Sequence, residues 1–333
     1  MIRVLISIGD PAGIGPEISI KAVNHLLDEN FDFVPILVGD ESVLLEAIKF
    51  CPERKLVRRN ETIYKDRISF IDTKIIKRPD FPVGINDRIT GEASFKYLQT
   101  AWHMLQKNDG DCLVTAPISK ASWHLAGITY TGHTEALSAF SGEQTYMLMI
   151  ADTLRVLLAT THIPLKNIWN YLNVEHLFLS TRTTANFVSK FFGIKNIRIG
   201  FCGLNPHAGE AGNFGDEEKI IITPAIEKLT RDGFLVSGPF PSDSIFKFAI
   251  KDHLFDLIVS LYHDQALVVL KSFFSEKLVN ITVNNSGWIR TSPGHGTAFD
   301  IAWKNIADAS SMKEAIKIAV LMAKRKYGYT VNN

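Results

Sequence analysis

The chain has 333 residues, 46% of them hydrophobic and 21% charged, the balance of a folded globular protein long enough to hold two cores. Thirty-six basic against 35 acidic side chains leave a net charge of +1, which advertises neither a nucleic-acid surface nor an anionic membrane partner. The three cysteines (Cys51, Cys112, Cys202) are odd in number and far apart. That excludes a disulfide framework and a Cys-X-X-Cys metal knuckle, and suits a reducing cytoplasm.

The chain opens with Met1-Ile-Arg-Val-Leu-Ile-Ser-Ile-Gly-Asp10, an apolar run that leads straight into a turn with no small-residue cleavage site. It predicts a first strand and not a signal peptide. No stretch of about 18 apolar residues follows, so no membrane-spanning helix is expected. Strands are predicted at Arg3–Ile8, Val34–Val38, Ile68–Ile71, Cys112–Thr115, Leu154–Thr160, Ile197–Phe201, Leu257–Leu261 and Leu278–Thr282. Helices are predicted at Glu17–Leu27, Glu92–Leu105, Val174–Phe192, Glu217–Leu229 and Met312–Lys326. Strands alternating with helices in this way imply an α/β protein with a mostly parallel sheet. No repeat, low-complexity tract or Gly/Ser linker interrupts the pattern.

The first strand feeds Gly9-Asp-Pro-Ala-Gly-Ile-Gly-Pro-Glu17. Glycines there allow close backbone approach, but Ile18 stands where a G-x-G-x-x-G fingerprint needs its last glycine, so a Rossmann loop is rejected. What remains is either a tight strand-to-helix turn or a glycine turn with Asp10 and Glu17 near a cleft. Thr115-Ala-Pro-Ile-Ser-Lys120 follows another strand and places Lys120 on a sheet rim. Gly132-His-Thr-Glu135 then opens a helical pattern, so that backbone N–H groups, a hydroxyl and an imidazole make an anion seat, with Thr134 as a helix cap being the simpler role.

Three histidines follow apolar runs: His162 after Arg155–Thr160, His207 after Ile197–Phe201, and His263 after Leu257–Leu261. Ligands of open α/β sheets collect beyond the carboxyl ends of strands, where three imidazoles would hold a divalent cation and leave positions open for substrate. Taken singly, each is an ordinary loop histidine; the repetition carries the expectation. The glycines of the second loop (Gly209, Gly212, Gly215) leave room for something flat against the backbone. Asp264 would orient His263 or cap the helix that follows. Lys271, Lys277, Asn280 and Arg290 supply cationic and amide groups suited to phosphate or carboxylate.

Side by side, GDPAGIGPEI (9–18), TAPISK (115–120), GHTE (132–135), THIPL (161–165), LNPHAGE (204–210), GPFPSD (238–243), YHDQ (262–265), VNIT (279–282), IRTS (289–292) and HGTAFDIA (295–302) resemble the 4-hydroxythreonine-4-phosphate dehydrogenase family of pyridoxal 5′-phosphate biosynthesis. The motifs span nearly the whole chain in one order. The resemblance implies a two-domain layered α/β/α fold of the isocitrate/isopropylmalate dehydrogenase-like type, with domains at 1–130 plus 285–333 and at 131–284 and the active site in the cleft between them. It implies oxidation of 4-phosphooxy-L-threonine by NAD or NADP and decarboxylation to 3-amino-2-oxopropyl phosphate. Metal ligands would be His162, His207 and His263, holding zinc, cobalt, magnesium or manganese. Substrate contacts would be His133, Thr134, Lys271, Asn280 and Arg290, and cofactor contacts Gly209, Glu210 and Gly212. Lys120, Asp243 and a metal-bound water remain as candidate bases. A homodimer with its site at the subunit interface is implied, with no nucleic-acid or membrane partner.

The sequence departs from the family at three places. Ser-Phe-Phe-Ser-Glu-Lys-Leu-Val replaces a glycine-rich loop between Lys271 and Asn280, which would put two rings and Glu276 near the phosphate. Val-Asn-Asn-Ser-Gly-Trp, from 283 to 288, is about one residue longer than the usual connection, and Trp303 stands where glycine is expected. Those changes leave open a paralogue acting on erythronate or threonate 4-phosphate. A catalytically silent relative and an acyl- or phosphotransferase on a similar scaffold are the other readings.

Overall fold

Short β-branched runs buried on both faces become parallel strands because only helices packed above and below can cover them. In the computed structural model, which describes residues 1–59 and 67–330, they form two units, Met1–Gly142 with Trp288–Asn333, and Glu143–Gly287.

The first unit has six parallel strands. In spatial order they are β3 (Lys55–Arg58), β4 (Arg67–Asp72), β2 (Phe33–Gly39), β1 (Ile2–Ser7), β5 (Cys112–Thr115) and β12 (Arg290–Pro293). Helices α1 (Gly15–Asp28), α2 (Glu41–Ala47), α3 (Arg88–Gln106), α4 (Lys120–Leu125), α5 (His133–Ser141) and α11 (Ser310–Lys326) accompany them. Helix α3 starts four residues before the periodicity indicates, because the Asp87 carboxylate accepts the Ile89 N–H at 2.8 Å and caps it.

The second unit has β11 (Val279–Val283), β6 (Tyr146–Ala151), β7 (Leu154–Leu158), β10 (Leu257–Ser260), β8 (Arg198–Cys202) and β9 (Leu235–Phe240), in that order. Strand β6 runs antiparallel to both neighbours, and the remaining pairs are parallel. Its helices are α6 (Ile168–Tyr171), α7 (Val174–Phe192), α8 (Thr223–Arg231), α9 (Ser242–Ile250) and α10 (His263–Phe274). Asn173 caps α7 at its start and left-handed Gly193 ends it, which matches the predicted span. The predicted Glu217–Leu229 helix instead begins as a π turn at Glu218–Ile222 and becomes α-helical at Thr223.

The unit boundaries at 142/143 and 287/288 place α5, with His133 and Thr134, in the first unit, whereas the expected limits assigned them to the second. The two rings at 273 and 274 also separate. Phe274 packs on the second unit's core while Phe273 is 75% exposed. Lys277 pairs with Asp152 at 3.0 Å. The altered segment therefore extends α10 and adds a 3₁₀ turn at Ser275–Lys277, sending one ring inward.

Trp303 holds a left-handed conformation (φ 62°), which glycine adopts freely, at a cost of about 1–2 kcal/mol. Its indole N–H donates to the Pro11 carbonyl at 2.8 Å, and its ring lies 5.9 Å from Phe50 and 5.5 Å from Phe81. Contacts of this kind offset the backbone cost.

Asp40, fully buried at the end of β2, organises the turn at 73–76. One oxygen accepts the Thr73 hydroxyl (2.6 Å) and the Ile75 N–H (2.9 Å); the other accepts the Ile76 N–H (2.8 Å) and the Tyr97 hydroxyl (2.7 Å). Burial and the Asp40 charge push the Tyr97 phenol well above its usual range. Asp40→Ala would leave two N–H groups and two hydroxyls unpaired in the interior. Urea unfolding should show a loss of about 3 kcal/mol or more, against about 1 kcal/mol for Tyr97→Phe. Equal losses for the two variants would contradict Asp40 as the hub.

Candidate active site

Strands β7, β10 and β8 lie side by side and run parallel, so their carboxyl ends share one rim of the second unit. His162, His263 and His207 stand four, three and five residues past those ends. The structure brings two of them together: the His162 and His263 rings are 5.3 Å apart. His263 Nδ1 donates to Asp264 Oδ1 at 2.6 Å, which leaves Nε2 to act as a ligand. Of the two roles open to Asp264, the contact to the His263 ring is the one the structure shows.

His207 sits apart, beside Phe214 at 6.1 Å between ring centroids. It opens a run of five residues with left-handed backbone, His207 to Ala211, four of them not glycine. At about 1–2 kcal/mol per non-glycine residue, such a turn persists only where its surroundings over-determine it. Buried Glu218 supplies much of that. Its Oε1 accepts the N–H groups of Leu204 and Asn205, both at 2.8 Å, and its Oε2 accepts the Asn205 amide at 2.9 Å. A side chain at Gly209 would lie 2.6 Å from the same Oε2, so this glycine makes room for Glu218 within the chain. Glu210 and Gly212 are exposed on the same turn. Among the described residues, no group of three His, Cys, Asp or Glu side chains converges with metal-binding geometry.

Gln265, quoted in the YHDQ motif without a role, ties this rim together. Its carbonyl accepts the Leu261 N–H at 2.7 Å, while its amide donates to Gly203 O and to Ser242 Oγ, each at 2.7 Å. One buried carboxamide thus joins the ends of β10 and β8 to the start of α9, where Asp243 is exposed. Lys271 is exposed on α10, and Asn280 on β11 has a buried Oδ1 with no partner, an acceptor left over for a ligand.

In the first unit, the residues expected to form an anion seat lie at the start of α5. Nine residues long, the helix begins with His133 and Thr134, and the Lys120 stem lies 3.7 Å from where a Gly132 side chain would begin. His133 packs edge-on to Trp123 (5.7 Å), and its Nε2 is buried without a partner. Arg290, at 2% exposure, turns inward, and its Nε and Nη2 donate to Thr115 Oγ1 at 3.1 and 2.7 Å. Burial lowers its guanidinium to about 9, so it remains charged at neutral pH. Burial, then the Arg290 charge, holds His133 well below the ordinary imidazole range and therefore neutral. Asp10 is buried too: one oxygen accepts the Ala12 N–H at 2.9 Å, the other is unpartnered, and burial raises its pKa. Glu17 takes the Lys21 ammonium at 2.7 Å and the Ala307 N–H at 3.1 Å, tying α1 to the stretch before α11. The cysteines are unpaired and buried; burial pushes the Cys202 thiol up to about 12, which suits packing and not ligation.

Mostly parallel strands with histidines, hydroxyls and cations beyond their carboxyl ends are the arrangement of an α/β enzyme. The chain belongs to the family of pyridoxal phosphate biosynthetic protein PdxA, whose family model matches residues 32–319. Its relatives are dehydrogenases. It is 38% identical over 326 residues to the 4-hydroxythreonine-4-phosphate dehydrogenase of Sulfurihydrogenibium sp., covering 97% of this chain and 98% of that relative. It is also 38% identical, over 333 residues, to an Oceanobacillus iheyensis protein provisionally named D-threonate 4-phosphate dehydrogenase, covering 96% and 98%. The solved 4-hydroxythreonine-4-phosphate dehydrogenase of Klebsiella pneumoniae matches with a TM-score of 0.84 at 32% identity, over 97% of this chain and 100% of that one.

Half-buried His133, with its Nε2 out of solvent, couples stability to pH. Its folded pKa lies below the unfolded value near 6.5, so stability is full above about pH 6.5 and falls as the pH drops below it, where only the unfolded chain takes the proton. His133→Asn should flatten that part of the stability profile between about pH 6.5 and pH 5. An unchanged slope in chemical unfolding across that range would show that His133 is not held neutral.

Proposed function

We propose that the chain oxidises 4-phosphooxy-L-threonine with NAD or NADP and decarboxylates the product to 3-amino-2-oxopropyl phosphate, for pyridoxal 5′-phosphate synthesis. The observation that carries this reading is the meeting of His162 and His263, 5.3 Å apart, beyond neighbouring parallel strands, with His263 oriented by Asp264. Two imidazoles so placed fit a divalent cation (zinc, cobalt, magnesium or manganese), with His207 as the third ligand. Bound there, the cation would favour the ionised substrate hydroxyl and take up charge as the carboxylate departs.

The chain's own groups bind and orient the substrate. The N-terminus of α5, with His133 and Thr134, suits the phosphate, since backbone N–H groups point outward there and neutral His133 can still donate one ring N–H. Lys271 and Arg290 supply positive charge, and Asn280 Oδ1 offers an acceptor to a substrate N–H or O–H. Lys120 and Asp243 are the candidate proton acceptors, and Gly209, Glu210 and Gly212 the candidate cofactor contacts. Three free, buried cysteines suit a cytoplasmic enzyme.

A homodimer that shares ligands fits two features. No three ligands converge among the described residues of one chain. Large apolar side chains are also exposed in the segments after the paired histidines: Leu165, Trp169 and Tyr171 after His162, and Val268 and Phe273 after His263. Exposed apolar groups concentrated near a site mark an interaction surface.

A second reading, D-threonate 4-phosphate as substrate, is supported by the 38% identity to the Oceanobacillus protein. NADH absorbance with each substrate in turn, with and without chelator, separates the two. The main reading expects metal-dependent NADH formation with the amino acid phosphate, at a kcat/KM at least about tenfold above that for D-threonate 4-phosphate. Turnover of D-threonate 4-phosphate alone would replace it, and no NADH from either would contradict both.

A further inference from the structure

A groove of about 430 Å³ lies in the second unit, along α7 and beside the 284–287 connection. That volume falls within the range of small-molecule sites. Its walls are Arg182, Thr183, Asn186 and Lys190 on one side and Asn284, Asn285 and Gly287 on the other, over Leu179, Phe187 and Phe191. Arg182, Asn186 and Lys190 stand four residues apart on α7 and so share one face. Taken alone they would be a solvated helix face; the opposite wall and the charge balance distinguish this one.

The opposite wall is pinned. Asn284 Oδ1 accepts the Gly287 N–H at 2.7 Å, and Glu143 accepts the N–H groups of Asn285 and Ser286, each at 3.2 Å. Gly287 is left-handed (φ 74°), and a side chain there would begin 3.0 Å from Lys190 Nζ. The bare backbone therefore lets the ammonium lie over the loop, with Nζ 5.3 Å from the centre of the Phe191 ring. Among the described residues, no carboxylate lines the groove. Arg182 pairs outward with Asp232 at 3.0 Å, whereas among the described residues no carboxylate comes within ion-pair reach of Lys190. Asn186 and Asn285 are exposed on opposite walls, each offering an amide.

We propose that this groove is a second anion site, outside the catalytic residues, which takes a small phosphorylated or carboxylated metabolite between the Lys190 ammonium and the Asn186 and Asn285 amides.

The test is a titration of isotope-labelled full-length protein with inorganic phosphate and, separately, citrate, following the backbone amide resonances of Asn285, Ser286 and Gly287. Saturable shifts at these amides are expected with at least one probe, and which probe binds more tightly assigns phosphate or carboxylate chemistry. Lys190→Gln, on an exposed side chain, should weaken binding at these amides about tenfold and leave NADH formation unchanged. Gly287→Ala, crowding the ammonium, should weaken it as well. Shifts confined to the amides around His133 and Thr134, or equal affinity in Lys190→Gln, would overturn the proposal.

Discussion

Parallel pairing of β7, β10 and β8 is the constraint on which the candidate site depends. Strands running the same way end on the same rim, so the residue that follows each is delivered to one edge however far apart the three lie in sequence. Register then decides which residues meet. Ser260 pairs with Leu158 on the neighbouring strand, and His263 and His162 follow those ends by three and four residues. The third strand delivers His207 to the same edge, on a left-handed turn, and among the described residues the three imidazoles do not converge as a metal-binding group. A ligand set divided in this way within one chain is what a site completed by a second copy would show.

Both units support their rims with buried polar groups whose hydrogen bonds are largely satisfied. Gln265 and Glu218 do this in the second unit, and Asp40 with Tyr97 in the first. Such groups are costly to leave unpaired, so each fixes one backbone arrangement in preference to near alternatives. The exceptions are informative. Among them, His133 Nε2 and Asn280 Oδ1 are buried without a partner and belong to residues proposed to touch substrate.

The strand-and-helix order was legible in the sequence wherever a run was β-branched or strongly periodic, as at Cys112–Thr115 and Val174–Phe192. Strand β6, Tyr146–Ala151, escaped notice because Met-Leu-Met-Ile has no period and no β-branched majority. Strand β12, Arg290–Pro293, escaped because its buried residues are polar and proline-bounded. The histidines could be read from their shared position after apolar runs, as could the oriented His263. What pins the rim could not. Glu218 acts backward on residues 204 and 205 from a π turn, and Gln265 bridges three elements, so neither pairing has a local signature. The inward turn of Arg290 onto Thr115, 175 residues away in sequence, is likewise a product of sheet order alone.

The most direct test of a shared metal site is activity in mixed dimers. His207→Ala and His263→Ala chains, each inactive by itself, would be unfolded together, refolded as a mixture and assayed for metal-dependent NADH formation. If ligands come from both chains, each mixed dimer keeps one site with all three histidines, and activity should return to about a quarter of the wild-type level, since roughly half the dimers are mixed and half their sites intact. If the mixture stays as inactive as its components while refolded wild type recovers, the three histidines act within one chain or not at all, and the shared-site account fails.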